Sequence, residues 1–164
     1  MMEGKWGRAN GWGMLGHAEA LTSMAQWPEG YPNKTANDLI KTIFIEHAEA
    51  AKATQAPDGR WHQLLNDSSS FLETSVTAMF LTSIVRGVRG GVLNKSEYDP
   101  VIKKAWAGLV STVLPNGTVT GVCCGTGIQR DATAYYHRPT FYGCSGPGGA
   151  GAVLYAAVDL AKGY

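Results

Sequence analysis

The stretch WGRANGWG, Trp6 to Gly13, sets two indoles and a guanidinium among glycines. Glycine weakens a helix by up to about 1 kcal/mol, so folding alone is a poor reason for such a composition. Arg8 and Trp12 are four residues apart and share one face if the segment is helical. An indole presents a flat plate that suits the apolar face of a sugar ring, and a guanidinium suits a carboxylate or a cluster of hydroxyls. The glycines would let another backbone or a ligand come close. The bland alternative puts Arg8 in a surface ion pair and Trp12 in the core.

Other residues able to do chemistry are scattered. RDATAYYHRPTFYG places His137 and Arg138 on an aromatic loop with Tyr135, Tyr136 and Tyr142. The pair could close a cleft, although a loop histidine is more often a surface residue, and the tyrosines could stack on sugar or simply anchor the loop. Asp67 and Glu73 stand near a helix start, where capping is explanation enough. His17, His47 and His62 have no partner of triad or metal type in the sequence. Cys123, Cys124 and Cys144 match no zinc spacing; two could lie close in space with one left over, although the bland reading is small buried residues. GPGGAGA lacks the preceding strand and the lysine of a phosphate loop, and reads as helix packing.

Composition narrows the function classes. The chain has 164 residues, 45% hydrophobic and 16% charged, with 14 basic against 13 acidic side chains. This balance lacks the basic face that nucleic-acid binding needs. No apolar run approaches the roughly 18 residues of a membrane span, and no signal-peptide pattern opens the sequence. Asn33, Asn66, Asn94 and Asn116 each begin an N-x-S/T triplet. Caps and turns enrich these residues anyway, yet the four together favour a glycosylated, secreted protein over a cytoplasmic one.

The elements that must position these residues are helical. Periodicity predicts helices over Trp12–Trp27 (Leu15, Ala18, Leu21 and Ala25 on one stripe, Gly13, Gly16 and Ala20 on a small-residue stripe) and over Thr35–Gln55, capped by Asn33. Pro28, Gly30 and Pro32 separate them. Ser70-x-x-Glu73 reads as a capping box opening a buried helix to about Arg89, and Asn94-x-x-Glu97 as a weaker box ahead of Ser96–Val113. Residues 114–146 read as a Gly/Tyr-rich loop with a Pro-Asn-Gly turn and short β-like runs, and a last helix spans about Gly148–Lys162. The fold class is all-α: five helices alternating between inner and outer positions in hairpins.

In this order the motifs resemble the unsaturated uronyl hydrolases. WGRANGWG is similar to their W-x-R-x-N-G-W signature, and FLETSVTAMF (71–80), KAWAGL (104–109), GVCCGTGIQ (121–129), YYHRPT (135–140) and GPGGAGAVLYAA (146–157) follow in the family's order. The resemblance covers essentially the whole chain and is nearer to glycoside hydrolase family 105 than to its relative, family 88.

The resemblance implies part of an (α/α)6 barrel, a toroid of six helical hairpins. It implies hydrolytic release of the unsaturated uronic acid that pectin or rhamnogalacturonan lyases leave at a chain's non-reducing end. In that chemistry an Asp protonates the C4=C5 enol ether, water adds at C5, and the hemiketal collapses to release the next sugar. The family's Asp precedes W-x-R-x-N-G-W, so residues 1–164 are expected to be the C-terminal half of the domain, with no catalytic residue of their own. Trp6, Arg8 and Trp12 match substrate-contacting positions, with His137 and Arg138 as further candidates. The expected partner is an unsaturated uronyl oligosaccharide, and no metal or organic cofactor is implied. A toroid cut between hairpins would expose apolar faces, predicting self-association. A non-catalytic uronate-binding remnant and a purely structural helical protein are the competing expectations.

Overall fold

The computed structural model describes residues 4–28, 33–140 and 147–164; Gly30, Pro32, Tyr142 and Cys144 lie outside the described residues. Helices α1 (Gly7–Met24) and α2 (Lys34–Ala53) are followed by strands β1 (Trp61–His62) and β2 (Leu72–Glu73). Then come α3 (Thr74–Arg89), α4 (Lys95–Val110), the single turn α5 (Thr133–Tyr136) and α6 (Pro147–Ala161).

Helix α3 is the hub. Every residue from Thr74 to Val85 is buried, as are Gly87 and Val88, so only its last turn, at Arg86 and Arg89, reaches solvent. It packs against α1, α6, α4 and α2. Its hydroxyls are reconciled with burial by back-bonding, as when Thr77 Oγ1 donates to the Glu73 carbonyl and Ser83 Oγ to that of Met79, both at 2.8 Å. The alternation of inner and outer helices follows: α1, α3 and α6 lie side by side, with α2 and α4 behind them.

Contacts at both ends of the inner layer set its direction. Gly7 and Gly11 of α1 meet Val76 and Met79 near the start of α3. At the other end Arg86 pairs with Glu19 of α1 and donates from Nε to Asp159 of α6 at 2.9 Å, and Arg89 donates to Asp159 at 2.8 Å. The three inner helices therefore run parallel, with their N-termini at one end. Asp159 is only 2% exposed. Burial alone would raise its pKa, but hydrogen bonds from Arg89 and Arg86 outweigh that and hold it below the ordinary value. Behind this layer Trp61 packs edge-on against Phe80 at 5.3 Å and donates from Nε1 to the Ala51 carbonyl at 2.7 Å.

Several boundaries differ from the sequence expectation. The first helix begins at Gly7 rather than Trp12, and its buried stripe is Gly7, Gly11, Met14 and Ala18. Leu15, Leu21 and Ala25 are not in it, because close approach is set by the glycines. A Cβ on Gly11 would lie 2.9 Å from Met79 Sδ, whereas one on Gly16 would meet nothing within 4 Å. Ser70 does not cap α3: its hydroxyl donates to the Asp67 carbonyl and accepts from Leu64 N–H, and Glu73 is the cap itself. The paired strands lie at 61–62 and 72–73, in register Trp61 with Glu73, and not in the loop after Leu114. There the Pro-Asn-Gly turn closes a single bridge, Val113 to Val119. The loop also contains a sixth helix, the one-turn α5. Asn33 and Asn94 cap α2 and α4 as expected, each accepting at 2.9 Å from the N–H two residues on.

Two outcomes test this packing. A Cβ on Gly87 would lie 2.6 Å from Phe44 Cε1 and 2.8 Å from Leu93 Cδ1, so Gly87→Ala is expected to lower unfolding free energy by about 1–3 kcal/mol in urea titration. Because Asp159 titrates below its ordinary 3.8 when folded, its ion pairs stabilise fully above that value and lose their effect as pH falls through and below it. The stability gap between the wild type and Asp159→Asn should accordingly be constant near neutrality and shrink in acid.

Candidate functional site

The candidate residues gather at the N-terminal end of the inner helices. Trp6 precedes the first turn of α1 and is fixed by backbone: it forms a bridge with Leu64, and Gly7 N–H donates to the Gln63 carbonyl at 2.8 Å. A Cβ on Gly7 would lie 2.8 Å from the His62 carbonyl, so glycine is what lets α1 start this close to β1. The Trp6 ring packs against Tyr135 of α5, centroids 5.4 Å apart, and the Arg8 guanidinium carbon stands 5.3 Å from the Trp6 ring centre.

Arg8 is held from the other side by a strap, residues 120–124. Its Nη1 donates to the Cys123 carbonyl at 2.6 Å and its Nη2 to the Cys124 carbonyl at 3.2 Å. The strap in turn hangs on the first residues of α3. Thr74 N–H donates to the Gly121 carbonyl at 3.0 Å, Thr74 Oγ1 to the Thr120 carbonyl at 2.6 Å, and Cys123 N–H to Glu73 Oε1 at 2.9 Å. Gly121 has φ +69°, and a Cβ there would lie 2.9 Å from Thr74 Oγ1, so the turn requires glycine on both counts. On the far side Cys124 N–H donates to the Pro139 carbonyl at 3.0 Å, which ties the aromatic loop to the same strap.

Glu73 is 0% exposed. Its carboxylate accepts from Ser75 N–H (3.2 Å), Val76 N–H (2.7 Å), the Ser75 hydroxyl, whose one proton is shared between the two oxygens (2.9 and 2.8 Å), and Cys123 N–H. It is at once the cap of α3 and the anchor of the strap. Beside it Gln63, also fully buried, donates from Nε2 to Cys123 Sγ at 3.2 Å. Burial pushes the Cys123 thiol above its ordinary pKa, with Arg8 pulling weakly the other way. Among the described residues Arg8 has no carboxylate within ion-pair distance, since the salt bridges present all involve other cations. The surface ion pair allowed by the sequence is therefore not formed.

Trp12, one turn along α1, is 61% exposed, so it is not a core residue either. It flanks a cavity of about 530 Å³ between α1, α3 and α6, with Met79, Thr82, Arg86 and Tyr155 also on the wall. His137 follows α5 and is exposed; Arg138 is half-buried. Among the described residues no side-chain hydrogen bond, ion pair or ring contact joins either to Trp6, Arg8 or Trp12. The tyrosines anchor the loop: Tyr135 lies on Trp6 and accepts from Gln129 N–H at 3.2 Å, and the Tyr136 hydroxyl is 3.1 Å from Ser69 Oγ. Sequence reasoning missed Glu73 and the Cys123 and Cys124 carbonyls as part of the site. The glycine-flanked GVCCG was the available signal, but main-chain acceptors leave no trace in residue type.

The seating of the strap can be read through its thiol. Cys123 is 2% exposed, so iodoacetamide should label it slowly in the native protein and fully in denaturant. Gly121→Ala forces a left-handed turn on a residue with a Cβ, destabilises by about 1–3 kcal/mol, and should speed native labelling of Cys123. Equal labelling rates by mass spectrometry would contradict this seating.

Comparison with known proteins identifies the family. The profile of Glycosyl Hydrolase Family 88 matches residues 2–164. The unsaturated rhamnogalacturonyl hydrolase YesR of Bacillus subtilis is 27% identical over 135 residues, 82% of this chain and 35% of its own. The unsaturated 3S-rhamnoglycuronyl hydrolase of Formosa agariphila is 29% identical over 116 residues, 70% of this chain and 29% of its own. A solved structure from Salmonella enterica, described as a possible member of family GH105, superposes with TM-score 0.87 at 28% identity, covering 97% of this chain and 40% of that one. The chain thus spans about a third of the curated relatives it matches, and its helical hairpins are part of a larger toroid in the solved neighbours. This chain belongs to Glycosyl Hydrolase Family 88.

Proposed function

We propose that these residues form part of the sugar pocket of a glycoside hydrolase that removes a terminal 4,5-unsaturated uronic acid from pectin-derived oligosaccharides. Arg8 pairs with the uronate carboxylate, Trp6 and Trp12 meet sugar rings, and His137 and Arg138 approach from the loop. The observation that carries this reading is the state of Arg8. Its guanidinium is clamped by two main-chain carbonyls beside an indole, with no protein carboxylate opposite it among the described residues. Two carbonyl bonds out of a guanidinium's five donors leave three N–H groups for a ligand. A cation fixed in this way pairs with an anion at little further entropic cost. The N-terminus of α1, which carries no acidic residue in its first turn, opens at the same end and adds partial positive charge.

In this reading the residues are the C-terminal half of the six-hairpin domain, and the Asp that moves the proton lies on the other half. The isolated chain therefore binds without turning over. Leu154, Tyr155 and Val158, exposed on α6, would favour self-association of the isolated chain. Secretion belongs to the same proposal and rests on the four sequons, whose asparagines are all exposed; an intact-mass shift on glycan removal is its test. Among the described residues no helix is long and apolar enough to cross a membrane.

Calorimetric titration with an unsaturated digalacturonate tests the pocket. Arg8→Ala and Trp12→Ala should each weaken binding by about tenfold or more, with no decay of the unsaturated-uronate absorbance for any variant. Substitutions that alter stability alone would favour a purely structural protein, and robust decay with the purified chain would contradict the placement of the proton donor.

A further inference from the structure

We infer that Glu73 is a positioning residue for uronate recognition: its buried carboxylate aims Arg8 by fixing the main chain at Cys123, so that selectivity for an acid over a neutral sugar depends on it. The inference rests on the reading of Arg8 as the carboxylate clamp and adds the element that sets the clamp's direction.

A helix cap needs one or two N–H groups at N2 or N3. Glu73 meets that need with Ser75 and Val76. One further bond, Cys123 N–H to Oε1 at 2.9 Å, crosses 50 residues of sequence and is not needed to start a helix. Cys123 then presents its carbonyl to Arg8 Nη1 at 2.6 Å, and the next carbonyl receives Nη2. The relay runs carboxylate, strap, guanidinium. A full negative charge is buried at one end and a cation with open donors stands at the other, and the two never touch. This separation matters chemically. A carboxylate in direct contact would fill the guanidinium fork and compete with the ligand, whereas carbonyl dipoles orient it and leave its charge available. Thr74, through Thr120 and Gly121, holds the same strap, so the chain of contacts has one rigid origin at the start of α3.

The test compares binding of an unsaturated digalacturonate with that of its dimethyl ester, which keeps the rings and removes both charges. The wild type should prefer the acid. Glu73→Gln puts an amide N–H₂ where an oxygen faced donors, and should cut acid affinity by about tenfold while ester affinity stays within about twofold. Ser75→Ala removes the hydroxyl bond to Glu73 without touching Cys123; it should lower the melting temperature and retain the preference. Glu73→Asp keeps a good capping group but withdraws it from Cys123 N–H, and should fold and lose the preference even if Glu73→Gln does not fold. A folded Glu73→Asp or Glu73→Gln protein with wild-type preference for the acid overturns the inference. A wild type with no preference, or an Arg8→Ala protein that keeps it, overturns the reading of Arg8 instead.

Discussion

A carboxylate removed from water costs several kcal/mol unless donors surround it, and Glu73 at 0% exposure is surrounded by them. Those donors come from two places, the first turn of α3 and the strap at Cys123, so the charge is satisfied only when both are in position. That requirement couples the central helix to a loop fifty residues later. The loop carbonyls then fix Arg8 on α1, and the packing of Tyr135 on Trp6 brings the aromatic loop to the same end. One buried group thus organises an assembly whose parts lie far apart in sequence.

The opposite end of the inner layer is built on another principle. There Arg86 and Arg89 converge on the buried Asp159, with Glu19 outside, and the charges neutralise one another. Truncating such a network leaves a buried charge unpaired, which is more damaging than the net worth of the pairs suggests. At the Arg8 end the cation lacks an acidic partner among the described residues. The contrast between a closed network and an open one, at two ends of the same parallel helices, separates what holds the fold from what is available to a ligand.

Much of this was legible in the sequence. The all-α class, the caps at Asn33 and Asn94 and the burial of the third helix follow from periodicity and residue type. The four sequons illustrate two readings of one pattern. Asn33, Asn94 and Asn116 each accept from the N–H of the Ser or Thr two residues on, so local turn chemistry is a sufficient reason for the triplet spacing, and glycosylation needs evidence of its own. What the sequence hid is where long-range contacts decide. Gly7 and Gly11 face the His62 carbonyl and Met79, Gly13 faces His47 with ordinary room, and Gly16 faces open space, a choice that helical periodicity cannot make among glycines. Glu73 reads as the last residue of a capping box and is instead the cap and the anchor, because one of its bonds comes from a residue no local pattern points to.

The central claim is that Arg8 is a pre-oriented clamp for an anionic sugar. Its most direct test is a crystal structure of the chain with bound unsaturated digalacturonate. The account predicts the uronate carboxylate within hydrogen-bond distance of the Arg8 guanidinium, with the Cys123 and Cys124 carbonyl bonds intact and a sugar ring against Trp6 or Trp12. A saccharide bound elsewhere, or an Arg8 that leaves the strap to pair with a protein carboxylate, would contradict it.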